Sequence, residues 1–128
     1  MLDAYQAKIV WINGPFRGGE HNKNIFVGDL AKKIPAGKMV VTDGVYSTKT
    51  NVDYQDKLAL PSLCDSKELH NFKACLKSCH EGVNGKCVKY QALSTEYCHT
   101  HSNHVYIFEA ICTLVQYQMD HGSPIFDT

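Results

Sequence analysis

The sequence predicts an α/β domain with parallel strands, and three observations carry that prediction: an apolar run of strand length over residues 8–12, a helical period over 24–34, and a second apolar run over 38–42 that ends against Asp43. Strand, helix, strand in that order is the pattern of a parallel crossover unit, because parallel neighbours need a long connection between them. At 128 residues the chain has the size of one domain, and residues 1–128 are expected to share one core.

Taken in order, Ile9, Val10, Trp11 and Ile12 read as a buried strand stopped by Asn13, Gly14 and Pro15. Phe26, Val27, Leu30, Ala31 and Ile34 recur at helical spacing until Pro35 forbids continuation and Gly37 turns the chain. Met39, Val40 and Val41 form the next strand, with Asp43 at its carboxyl end before Gly44. Residues 47–61 read as an irregular excursion with a short strand at Leu58 to Leu60. Asp65 and Ser66 offer an N-cap, with Glu68 in capping-box position, for a helix whose apolar stripe is Leu69, Phe72, Leu76 and Cys79. Glu81 falls near the middle or the end of that helix, depending on whether Gly82 and Gly85 interrupt it. The last helix carries Phe108, Ile111, Cys112, Val115 and Met119 on one stripe, with Ser102 or Asn103 as its cap and Gly122 and Pro124 as its stop.

Composition excludes some functions. Thirteen basic and thirteen acidic side chains cancel, so a nucleic-acid contact has to come from a local patch rather than from the net field. No apolar run is long enough to cross a bilayer, and no basic segment leads into an apolar one at the N-terminus. The expected setting is the nucleus or the cytoplasm, where the six cysteines stay reduced.

Two carboxylates are the candidates for chemistry. An acid at the carboxyl end of a buried strand points to the crevice where open α/β sheets place ligands, which singles out Asp43; its alternative is a turn aspartate bonding its own backbone. Glu81 from a facing helix would complete a hard oxygen site suited to Mg²⁺ or Mn²⁺, whereas alone it reads as a solvated helix residue.

The blocks around these acids resemble a known family. Residues 11–16 (WINGPF), 34–38 (IPAGK) leading into 42–46 (TDGVY), 80–86 (HEGVNGK), and 108–110 with 122–127 (FEA, GSPIFD) look like stretches of the DDE superfamily endonucleases, a transposase group related to the Harbinger elements, in the same order and from about Ile9 onward. The resemblance implies an RNase H-like fold, incomplete here because the N-terminal strands of the sheet find no match. It also implies DNA as the partner and a two-metal phosphoryl-transfer site in which Asp43 stands for the second acid and Glu81 for the third. The first acid has no counterpart. Asp3, the sole acid before Trp11, sits ahead of the strand, and Gly44-Val45 replaces the family's basic-then-small pair before Tyr46. With one carboxylate of three missing, metal occupancy and cleavage by this chain alone are expected to fall sharply. An uncovered sheet edge at residues 9–12 or 39–42 would invite self-association or pairing with a complete copy.

Two other readings compete. Cys75, Cys79, His80 and Cys87, with Cys98, His99, His101 and His104, are residue types that bind zinc, although no C-x₂-C pair occurs. A non-catalytic derivative that still binds DNA would use the lysines flanking Glu81, namely Lys73 and Lys77 with Lys86 and Lys89, and the alternative for these is a solvated face. His80 adjoins Glu81, but neighbours on a helix point about 100° apart, so a shared site does not follow. Tyr46 reads as a packing residue, since metal-activated water makes a protein nucleophile unnecessary.

Overall fold

The computed structural model describes residues 1–14, 16, 22–42 and 52–122. The elements in chain order are α1 (Asn22–Ile25), a π-helical turn (Phe26–Leu30), α2 (Ala31–Lys33), β1 (Val40–Val41), a 3₁₀ segment (Val52–Lys57), β2 (Leu58–Ala59), α3 (Lys67–Cys87), α4 (Gln91–Ser94) and α5 (His101–His121). The chain divides into two compact units, Met1–Pro15 with Ser78–Thr128, and Phe16–Lys77.

In the first unit the core is a helical one. Cys79, Val83 and Cys87 recur at four-residue spacing on α3 and are buried, as are Ile111, Cys112, Val115 and Met119 on α5. Such spacing keeps one stripe of each helix turned inward. Leu2, Ile9, Ile12, Tyr90, Ala92, Leu93, Ile107 and Phe108 pack against this cluster. Val115 is fully buried, while Tyr106 and Tyr117, on other faces of α5, are largely exposed. Helix α5 begins after Thr100, so Ser102 and Asn103 lie within its first turn and not at its cap. It ends at Gly122, whose φ of 155° suits glycine and whose N–H donates to the Gln118 carbonyl.

The expected first strand is absent. Leu2 and Ile9 form a single antiparallel bridge, and the chain folds back on itself around a turn in which the Asp3 carboxylate accepts from the N–H groups of Tyr5 and Gln6. The amide of Ile9 donates to Gln116 Oε1 at 2.8 Å, so a side chain of α5 takes the bond a neighbouring strand would have taken. Val10 is half exposed. The apolar run over 8–12 is therefore used for packing on helices and not for a sheet.

The second unit keeps part of the expected pattern. Phe26, Leu30, Ala31 and Ile34 are buried, as the helical period requires, and the segment ends before Pro35. The side chain of Val27 lies outside the described residues. The last turn is closed by a remote cation: Lys57 Nζ donates to the carbonyls of Ala31 at 2.7 Å and Ile34 at 3.1 Å. These carbonyls have no intrahelical donor, and a lysine there also complements the helix dipole. Gly37 (φ 79°) turns the chain toward β1, which pairs in parallel with β2 in the register Val40 with Leu58 and Val41 with Ala59. Helix α3 opens on Ser66, whose Oγ accepts from the Leu69 N–H at 3.2 Å. Asp65 does not cap; its carboxylate accepts from Lys73 Nζ at 2.7 Å and from the Ser62 N–H at 3.1 Å.

These observations overturn the RNase H-like α/β expectation. The described residues are mostly helical, and their one sheet is a pair of two-residue strands. The physical reason is that the apolar side chains at 9 and 12 pack against the helical core cluster, and among the described residues the run finds a single bridge, Ile9 to Leu2. Among the described residues, no helix is long and apolar enough to cross a membrane.

Candidate metal and DNA-contact residues

Helix α3 runs through Gly82 and Gly85 to Cys87, which places Glu81 in its last two turns. At about 100° per residue, Glu81 stands about 200° round the helix from Cys79, two residues before it, and the same from Val83, two residues after. It therefore faces away from the buried stripe, and it is exposed. Its partner in the sequence reading, Asp43, lies outside the described residues, as do Gly44, Val45 and Tyr46 and residues 123–127 of the last resembling block. The chain reaches Asp43 through Thr42, a buried residue whose N–H bonds the Ala59 carbonyl at 3.4 Å and whose Oγ1 is buried without a hydrogen-bond partner. Asp3 is occupied as the turn acid described above.

Among the described residues no three of His, Cys, Asp or Glu converge as a metal site requires. Asp43 lies outside those residues, so this absence does not bear on an ion shared by Asp43 and Glu81, and no catalytic step is assigned to one. It does bear on zinc. Cys79 and Cys87 are buried on the α3 stripe, and Cys75 and Cys98 are exposed. His104 stacks on Tyr97 with ring centroids 4.2 Å apart and an 8° interplanar angle, and His99 meets the same tyrosine edge-on at 5.6 Å. The Nε2 of His104 is buried with no hydrogen-bond partner. His80 is held below the ordinary histidine range by desolvation first and by the Met1 ammonium second, with Glu81 opposing.

The lysines separate into two groups. Lys73 is committed inside the second unit: besides Asp65, its Nζ donates to the Leu60 carbonyl at 2.7 Å, and the side chains of the ion pair are 12% and 10% exposed. It is a structural lysine and leaves the set of phosphate contacts. Lys77 lies four residues before Glu81, on the same face of α3. Lys86 is half-buried in the last turn, five residues past Glu81 and so about 140° round the helix from it; Lys89 follows the helix end and is exposed. The N–H of Lys89 bonds the Lys86 carbonyl at 3.3 Å, a tight turn that brings these two residues close along the backbone.

One grouping had no signature in the sequence. Cys87 and Cys112, on different helices, belong to the same buried cluster of the first unit. Spacing along one helix cannot reveal a contact between two. Set against family models, curated proteins and solved structures, the chain has no match in any of the three.

Proposed function

We propose that this chain is a transposase-derived fragment of a metal-dependent DNA endonuclease, and that by itself it engages DNA phosphodiesters without cutting them. The observation that carries the reading is the order of the four sequence blocks, residues 11–16, 34–46, 80–86 and 108–127, with an acid at residue 43 in the second and another at residue 81 in the third. A two-metal clamp on a phosphodiester needs its carboxylates converging on both ions. The blocks supply two acids where the family uses three, and Glu81 is an exposed residue on the outer face of α3. DNA contact survives such a loss, because phosphate neutralisation by lysines requires no bound metal. Lys86 and Lys89, adjacent across the turn that ends α3, are the residues assigned to it.

The test uses the intact chain with supercoiled plasmid and with a labelled duplex. Neither Mg²⁺ nor Mn²⁺ is expected to support nicking, while duplex binding persists in EDTA and weakens as salt rises. Joint replacement of Lys86 and Lys89 by alanine lowers the affinity and flattens its salt dependence. Nicking abolished by Asp43→Ala would overturn the claim of inactivity, and absence of duplex binding at low salt would remove the DNA reading.

A further inference from the structure

The last turns of α5 carry an exposed patch beside the lysines assigned to phosphate. Leu114, Tyr117, Gln118 and His121 follow one another at three- and four-residue spacing, so each adjoins two of the others on the helix surface. All four are exposed, Tyr117 by 61%. The Tyr117 and His121 rings stack with centroids 4.1 Å apart and an interplanar angle of 20°. The histidine ring is held in that position by its Nδ1, which donates to the Tyr117 carbonyl at 3.0 Å. None of the four belongs to the buried stripe of α5, which runs through Ile111, Cys112, Val115 and Met119.

The patch is tied to the lysine turn. Gln118 Nε2 donates to the Tyr90 hydroxyl oxygen at 3.2 Å, a bond between residues 28 apart in sequence. Tyr90 follows Lys89 directly; its N–H bonds the Cys87 carbonyl at 3.1 Å as that of Lys89 bonds the Lys86 carbonyl at 3.3 Å, so both residues belong to the turn that closes α3. From Lys89 the surface therefore runs through Tyr90 and Gln118 to the stacked rings, all within the first unit. The acid of this helix end lies on the far side. Asp120 and Gln118 stand about 60° and about 100° round the helix to opposite sides of Tyr117, and the Asp120 carboxylate accepts from Gln116 Nε2 at 2.9 Å.

We infer that this surface binds single-stranded DNA, with phosphates on Lys86 and Lys89 and an unpaired base stacked on the face of Tyr117 turned away from His121, a reading that rests on the DNA contact proposed above and narrows it to DNA whose bases are accessible. Lysines alone hold any phosphate chain alike and carry no information about the bases. In a duplex each base is stacked between its neighbours, out of reach of a ring on a helix surface unless it is first extruded. A single strand presents phosphate and base faces together. A basic track beside exposed aromatic rings is the combination that holds one, and it tolerates any sequence because every base has a π-face.

The experiment measures binding of the full chain to a short oligothymidylate and to an abasic strand of the same length, which keeps the phosphates and lacks the bases, with a duplex alongside. The thymidylate is expected to bind roughly tenfold more tightly than the abasic strand. Tyr117→Leu should bring that ratio close to one, and Tyr117→Phe should preserve it, since stacking needs the ring and not the hydroxyl. The ratio compares two ligands on one preparation, so a loss of folded protein in a variant does not alter it. Equal affinity for the two strands, or a preference that persists in Tyr117→Leu, overturns the inference, and duplex binding in the same assay leaves the DNA reading standing. Failure of the unmodified chain to bind the duplex or either strand removes that reading, and this one with it.

Discussion

The two units of this chain are held together by different physics. In the first, the buried side chains of α3 and α5 are aliphatic or thiol, and stability comes from apolar area removed from water. In the second, Phe26, Leu30, Ala31 and Ile34 are buried, and two lysines reach groups remote in sequence: Lys57 the Ala31 and Ile34 carbonyls, and Lys73 the Leu60 carbonyl and the Asp65 carboxylate. Apolar packing is tolerant of which partner is met. A lysine serving two carbonyls is not, since removal leaves acceptors with nothing to replace it. The contrast makes the first unit sensitive to volume and the second sensitive to charge.

Ile111→Ala probes the first half of that contrast and should have the largest effect, about 2–5 kcal/mol of stability lost in denaturant unfolding. Leu114→Ala, three residues on but half exposed, should stay within about 0.5 kcal/mol. Equal losses in the two variants would mean that α5 has no inward face. Lys57→Met, close in shape but without the donor, should cost about 1–3 kcal/mol and speed amide hydrogen exchange over residues 22–34, leaving the amides of α5 protected as before. Loss of protection in both helices would break the distinction between the units.

Acid should act on the second unit through Asp65. The hydrogen bond from Lys73 is the first cause that holds its carboxyl below the ordinary aspartate range; desolvation opposes it, and the Ser62 amide adds to it. A carboxyl lowered in the native state contributes stability that is present above its unfolded pKa and is lost as pH falls through the native one. Hydrogen exchange over the first turns of α3 should therefore accelerate, after correction for intrinsic rates, as pH is lowered below the normal aspartate value. Asp65→Asn should remove this dependence. A pH response unchanged in that variant would assign the effect to another group.

Legibility in the sequence followed the same division. The stripe of α5 and its stop at Gly122 were readable, because a 3.6-residue period and a positive-φ glycine are local signals. The strands at 40–41 and 58–59 were each readable as a short apolar run, but the parallel unit expected for residues 38–42 was with the run at 8–12 and not with the one at 58–59. Residues 8–12 misled, since Ile9, Val10, Trp11 and Ile12 have strand composition yet only one bridge forms there. Short apolar runs carry no information about whether a strand or a helix will cover them. Lys73 misled in the other direction: in sequence it is one of several lysines near Glu81, and only its bond to Asp65 shows that it is unavailable to phosphate. Asp43 is legible as the acid that ends an apolar run and Glu81 as an acid on a helix, and both fall in the resembling blocks; of the two, Glu81 is among the described residues, exposed on α3.

By itself the sequence determined the buried helical stripe over residues 26–34, which stripe of α5 turns inward and where α5 stops, and which acids belong to the blocks that suggest an endonuclease. Those properties depend on residues within a few turns of one another. The tertiary structure alone decided that the N-terminal run packs on helices instead of entering a sheet, that Lys57 and Lys73 are structural, and that Cys87 and Cys112 share one buried cluster. Each is a contact between segments distant along the chain, set by which surface is nearest once the long helices have formed, and no local spacing encodes it.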